Sequence, residues 1–118
     1  MKTSNRFFTT LTLCTSLILA STSASEAQRN WGWFRCEVTG IQRGQLAVRP
    51  EPAGEPFAGL NNGNTVAAMI GSGRWVALDN VVWYYVHILR GPNSGLNGRE
   101  GWVNSDYLEC YEELNVDF

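Results

Sequence analysis

The chain has 118 residues, which is the size of one domain, and its 9 basic against 11 acidic side chains leave a formal charge of −2. Nucleic-acid binders carry basic patches that release phosphate counterions, so this mild acidity argues against a nucleic-acid partner and against docking on anionic lipid. A single histidine, His87, leaves no ligand set at metal spacing, and neither a metal nor any other cofactor is expected.

In chain order, Lys2 and Arg6 form a basic start and Phe7 to Ala20 a short apolar run, followed by the small residues Ser21 to Ala27. That order predicts a secretory signal over residues 1–27, too short in its apolar part for a membrane span, with cleavage after Ala24 or Ala27. Cys14 lies inside the apolar run behind Leu13, not behind the small residue of a lipoprotein site, and is expected to leave with the signal. The location is then secreted or periplasmic, with no membrane association after cleavage. The mature chain retains seven arginines and ten acids. Its two cysteines, Cys36 and Cys110, are expected to pair in an oxidising compartment. Closing a loop of some 75 residues is worth roughly 4.5 kcal/mol in the chain-entropy picture.

Beyond the signal, no stretch sustains a helical apolar period over three turns. Gly and Asn instead punctuate the chain, at Gly40, Gly44, Asn61-Asn62-Gly63, Asp79-Asn80, Gly91-Pro92-Asn93 and Asn97-Gly98. Short runs rich in Val, Ile and aromatics lie between these turns and predict strands at Trp33–Thr39, Gln45–Arg49, Phe57–Leu60, Thr65–Ile70, Val81–Leu89, Arg99–Val103 and Leu108–Tyr111. Trp75–Leu78 is either a further strand or part of a long loop. The class is all-β, a small antiparallel barrel or sandwich. In the longest run, Val82, Tyr84, Val86 and Ile88 share one face and read as core. Trp83, Tyr85 and His87 share the other, which is either a second buried face or an exposed platform. Trp31, Trp33 and Phe34 either plug an open end or extend a sticky surface.

Gly101-Trp102-Val103-Asn104-Ser105-Asp106-Tyr107-Leu108 resembles the closing motif of bacterial SH3-like (SH3b) domains. Leu46-Ala47-Val48-Arg49-Pro50-Glu51-Pro52 is similar to the stretch that opens such a domain. Asn61 to Val66, Trp83-Tyr84-Tyr85-Val86 and Gly98-Arg99-Glu100-Gly101-Trp102 resemble its intervening turn, Trp-containing strand and second turn, in the family's order. The resemblance implies a small SH3-like antiparallel β-barrel over residues 38–111, preceded by an aromatic segment and first strand at 28–37 and followed by an acidic tail at 112–118. It also implies that the first and last strands lie together, which suits a Cys36–Cys110 bridge.

The family likewise implies a binding module; a monomer is expected, and enzyme activity is not, by exclusion. The barrel leaves no room for a peptidase domain, and a Cys–His nucleophile pair would take a cysteine from the bridge. No residue is assigned a catalytic role. The ligand-binding residues implied are Trp83 and Tyr107, with Tyr85 and His87 beside Trp83; flat aromatic faces suit peptides and sugar rings. Filling of the core is the alternative use for Trp83 and Tyr107, and the expected one for Trp102. Asn104 stands where eukaryotic SH3 grooves have Pro, and Glu51 and Glu55 are the only acids of their loop, so a basic PxxP peptide is not expected. Cell-wall peptidoglycan, through its peptide or its glycan, is the expected partner, and another exported protein the alternative.

Overall fold

A computed structural model describes residues 32–71 and 73–118; the expected signal segment, Cys14 and Trp31 lie outside them. Eight strands follow in order: β1 Trp33–Val38, β2 Leu46–Val48, β3 Ala58–Leu60, β4 Thr65–Met69, β5 Trp75–Leu78, β6 Val81–Arg90, β7 Glu100–Asn104 and β8 Leu108–Leu114. All pairings are antiparallel, and among the described residues there is no α-helix, only 3-10 turns at Ser94–Leu96 and Ser105–Tyr107. The fold is therefore all-β.

The main sheet runs β5-β6-β4-β1-β8, with β7 on the other edge of β6, and β2–β3 form a separate ribbon. One isolated bridge, Arg49 to Trp102, ties that ribbon to β7. Where a barrel was expected, the continuous pairing does not run round into a closed ring. The one bridge between the ribbon and β7 is made by Arg49, the residue after β2, through a pair of backbone bonds to Trp102.

Alternation places the core. Val86 and Ile88 of β6 meet Val66 and Ala68 of β4, Cys36 and Val38 of β1, and Leu46, Val48, Leu60 and Val103, all buried, with Tyr84 packed against them. These are mostly β-branched or aliphatic side chains, which fit a pleated, half-buried surface. Trp75–Leu78 is a strand: it pairs with β6 across a two-residue turn in which Asp79 and Asn80 both take positive φ, 55° and 65°. That is the hairpin turn whose twist matches its strands, and Asp and Asn tolerate it best after Gly.

Two elements differ from the reading of the sequence. β8 runs to Leu114, taking in Glu112 and Glu113 at the start of the segment expected as a tail, and Arg35 of β1 holds Glu112 at 2.9 Å. Trp102, expected in the core, faces the other side of β7 from Val103, where its ring meets Tyr85 edge-on at 5.4 Å. Cys36 and Cys110 stand opposite each other on β1 and β8 and are joined in a disulfide.

Candidate functional site

A groove of about 750 Å³ opens between the β1–β2 loop and the ends of β6 and β7. The loop contributes Gly40, Ile41, Gln42, Arg43 and Gln45; Arg49 follows β2; Trp83, Asn104 and Tyr107 form the opposite side. Each wall is fixed by local chemistry. The Asn61-Asn62-Gly63 turn takes φ of 90° at Gly63, and its Asn62 clamps the loop by accepting from Ile41 N at 3.0 Å and donating to Ile41 O at 2.9 Å. Gln45 donates to Asn61 Oδ1 at 3.0 Å, and Thr39 N donates to Tyr107 O at 2.9 Å. Short polar side chains that bond nearby backbone are the ordinary means of holding a loop in one shape.

Opposite the loop, Asn104 pairs with Trp83 in the β6–β7 register, and its Oδ1 accepts from Asp106 N at 2.9 Å, capping the 3-10 turn that presents Tyr107. Tyr107 is 36% exposed whereas Trp83 is 8% exposed, so the tyrosine ring forms the open lip and the indole the floor. The Arg49 guanidinium carbon lies 5.6 Å from the Trp83 ring centroid, within cation–π range. Arg49 is held by the paired backbone bonds of the Trp102 bridge, at 2.9 and 2.7 Å, and its Nη1 donates to Gly54 O. Arg49 Nε and Trp83 Nε1 are buried without a hydrogen-bond partner among the described residues. Unpartnered buried donors are uncommon and call for a cause.

Of the residues expected in a binding face, the groove brings together Trp83 and Tyr107. Tyr85 and His87 are on the same face of β6 but do not line it. Residues 83 and 87 are four steps apart, about 13 Å along a strand. Tyr85 and His87 converge instead on Glu100 of β7: Tyr85 OH donates to Oε1 at 2.6 Å, and His87 Nδ1 bonds Oε2 at 2.9 Å. Partial burial alone would raise the Glu100 carboxyl, but the two hydrogen bonds and the charges of His87 and Arg74 outweigh it and hold it below 4.5. The same bond to Glu100, with burial and the carboxylate's charge, raises Tyr85 above 10.0 against the pull of Arg74. An ionised Glu100 only accepts, so the proton sits on His87 Nδ1.

Aromatics cover this second cluster. Phe118 stacks on His87 at 3.9 Å, Trp33 meets both rings edge-on, and Arg74 lies 3.8 Å over Tyr85. With both carboxylate oxygens engaged and the imidazole stacked, the cluster fastens β6 to β7.

Sequence reasoning missed Gln42, Arg43, Gln45 and Arg49 as groove residues. Arg49 stood inside the recognised Leu46–Pro52 stretch, but nothing local distinguishes Arg43 from any surface arginine. Among the described residues, no group of His, Cys, Asp and Glu is placed to hold a metal ion, and no helix is long and apolar enough to cross a membrane. No family model, curated protein or solved structure matches the chain.

Proposed function

We propose that this chain is an exported SH3b-type binding module that recognises cell-wall material, peptidoglycan peptide or glycan, in the groove between the β1–β2 loop and Trp83. One observation carries the reading: Trp83 and Tyr107, singled out by the motif resemblance, converge on one groove of ligand size. The strand order supports the SH3-like assignment, with β1 between β4 and β8, a β6–β7 hairpin and a 3-10 turn leading into β8. The groove offers ring faces for the apolar body of a ligand and amides and guanidiniums for its polar groups.

Sedimentation with purified sacculi tests this. Wild-type protein co-sediments, and Tyr107→Ala, at the exposed lip, weakens retention about tenfold, the equivalent of one good contact of about 1.4 kcal/mol. Trp83→Ala does the same provided its circular dichroism stays native. If wild type remains in the supernatant, or both variants sediment as well as wild type, the wall-groove reading fails.

A second reading, an adaptor or inhibitor of another exported protein, is favoured by β5. All four of its residues are exposed, including Trp75 at 48%, and it is an edge strand with one free side for pairing. A sacculus-independent complex that Val76→Pro disrupts and Tyr107→Ala leaves intact would favour this reading.

A further inference from the structure

We propose that the groove selects an acidic peptide, whose carboxylates are held by Arg43 and Arg49 while its apolar body lies against Trp83 and Tyr107. This rests on reading the groove as the ligand site. The chain as a whole is negative, at −2, yet the groove lining includes two arginines and neither Asp nor Glu. Among the described residues, no carboxylate lies within ion-pair distance of either guanidinium. Glu51 and Glu55, in the β2–β3 loop whose Gly54 O takes Arg49 Nη1, and Asp106, beside Tyr107, all lie outside the lining. The charged side chains of the lining are thus opposite in sign to the net charge of the chain, an arrangement that favours an anion.

Arg49 is pre-ordered for the task. Its backbone is pinned to Trp102, Nη1 is committed to Gly54, and the guanidinium packs over the Trp83 indole, so little side-chain freedom is lost on binding. Its Nε and the Trp83 indole N–H are two buried donors without an acceptor, both on groove residues. Trp83 is more than nine-tenths buried. Asn104 commits its carbonyl oxygen to Asp106 N and leaves its amide N–H groups to donate. The exposed Arg43 guanidinium and the Asn104 amide present donors to the groove, which match a carboxylate and mismatch an ammonium. A volume of about 750 Å³ is far larger than one anion, and the aromatic floor and lip give the rest of a peptide its contact.

The test uses the full exported, disulfide-intact protein, 15N-labelled, and three capped alanine-based pentapeptides carrying two glutamates, two glutamines or two lysines. The glutamate peptide is expected to shift the Trp83 indole N–H and bind about tenfold tighter than the glutamine peptide, and the lysine peptide to leave it unmoved. Raising ionic strength from about 0.05 to about 0.5 M weakens the glutamate peptide selectively. Arg43→Gln lowers it to the level of the glutamine peptide, and Arg49→Lys, which keeps charge but loses the planar fork, weakens it severalfold. Amidating the carboxylates of sacculi abolishes their retention of the protein. The proposal falls if glutamate and glutamine peptides bind alike, if lysine binds best, or if amidated sacculi retain the protein as well as untreated ones. Should no peptide move Trp83 while sacculi are still retained through Tyr107, the acidic preference is wrong and the groove stands. If neither sacculi nor peptides engage the groove, both fall.

Discussion

Glu100 accepts hydrogen bonds from Tyr85 and His87 at once, and that shared carboxylate makes the β6–β7 junction sensitive to pH from both sides. Its folded pKa lies below 4.5, so the stability it contributes is present above that value and is lost as pH falls through the lower folded value. Tyr85 is raised above 10.0, so its contribution is full below pH 10.0 and declines as pH rises toward the higher folded value. Glu100→Gln removes the charge behind both shifts. Urea midpoints measured at pH 7, 4, 3 and 11 are expected to fall less steeply toward acid and toward alkali in the variant than in wild type. Parallel curves for the two proteins would show that another group governs the pH response. The same residues explain why Tyr85 and His87 fall outside the groove: their polar atoms are already satisfied by a partner 13 to 15 positions further along the chain.

At the scale of elements, the groove depends on a crossing in which Arg49, just past β2, bridges to Trp102 of β7, and Gly101 permits it. A Cβ at Gly101 would lie 2.7 Å from Val48 Cγ1, 2.8 Å from Arg49 O and 3.0 Å from Phe57 Cε2, and the second of these is backbone that cannot step aside. Gly101→Ala is expected to cost about 1–3 kcal/mol, in the range for overpacking a tight contact, and to weaken groove binding by shifting Arg49. A thermal midpoint unchanged within about 1 °C, where each 1 kcal/mol moves a domain this size by several degrees, would refute the crossing. The strands on either side were legible in the sequence. Alternation in Val81–Leu89 separates the core face of Tyr84, Val86 and Ile88 from the face of Trp83, Tyr85 and His87, whereas Trp75–Leu78 stays open between strand and loop although Asp79-Asn80 marks a turn beside it. Long-range placement was not legible. Arg43 reaches the groove because Asn62, nineteen positions on, clamps its loop, and no local pattern encodes that. Glu112 read as tail for a related reason. With Cys36 opposite Cys110, simple antiparallel counting puts Arg35 opposite Tyr111, but a bulge between Arg35 and Cys36 adds one residue and delivers Glu112. Bulges follow from sheet twist and strand crossing and leave little trace in sequence.

For the molecule as a whole, the weak point is the last strand. β8 pairs with β1 alone among the described strands, much of it is exposed, and its strand partner is the element that also carries β4. If β8 peels away, the 3-10 turn that presents Tyr107 loses its anchor, and the groove loses its lip. The Cys36–Cys110 bridge opposes this by joining residues 74 apart across the β1–β8 pair. Most of its effect falls on the unfolded chain, whose freedom it restricts, and native bridges of this kind contribute about 2–4 kcal/mol. That is a large share of the 5–15 kcal/mol typical of whole domains. Replacing both cysteines, Cys36→Ala with Cys110→Ala, is therefore expected to lower unfolding stability by about 2–4 kcal/mol while groove binding at low temperature survives. The denaturant slope should rise, because an uncrosslinked chain exposes more surface when unfolded. A loss in stability with no change in slope would place the effect in the folded state, as the packing of the buried Cys36 and partly buried Cys110. A loss below about 1 kcal/mol would mean that the β1–β8 ladder holds the chain ends without the bridge.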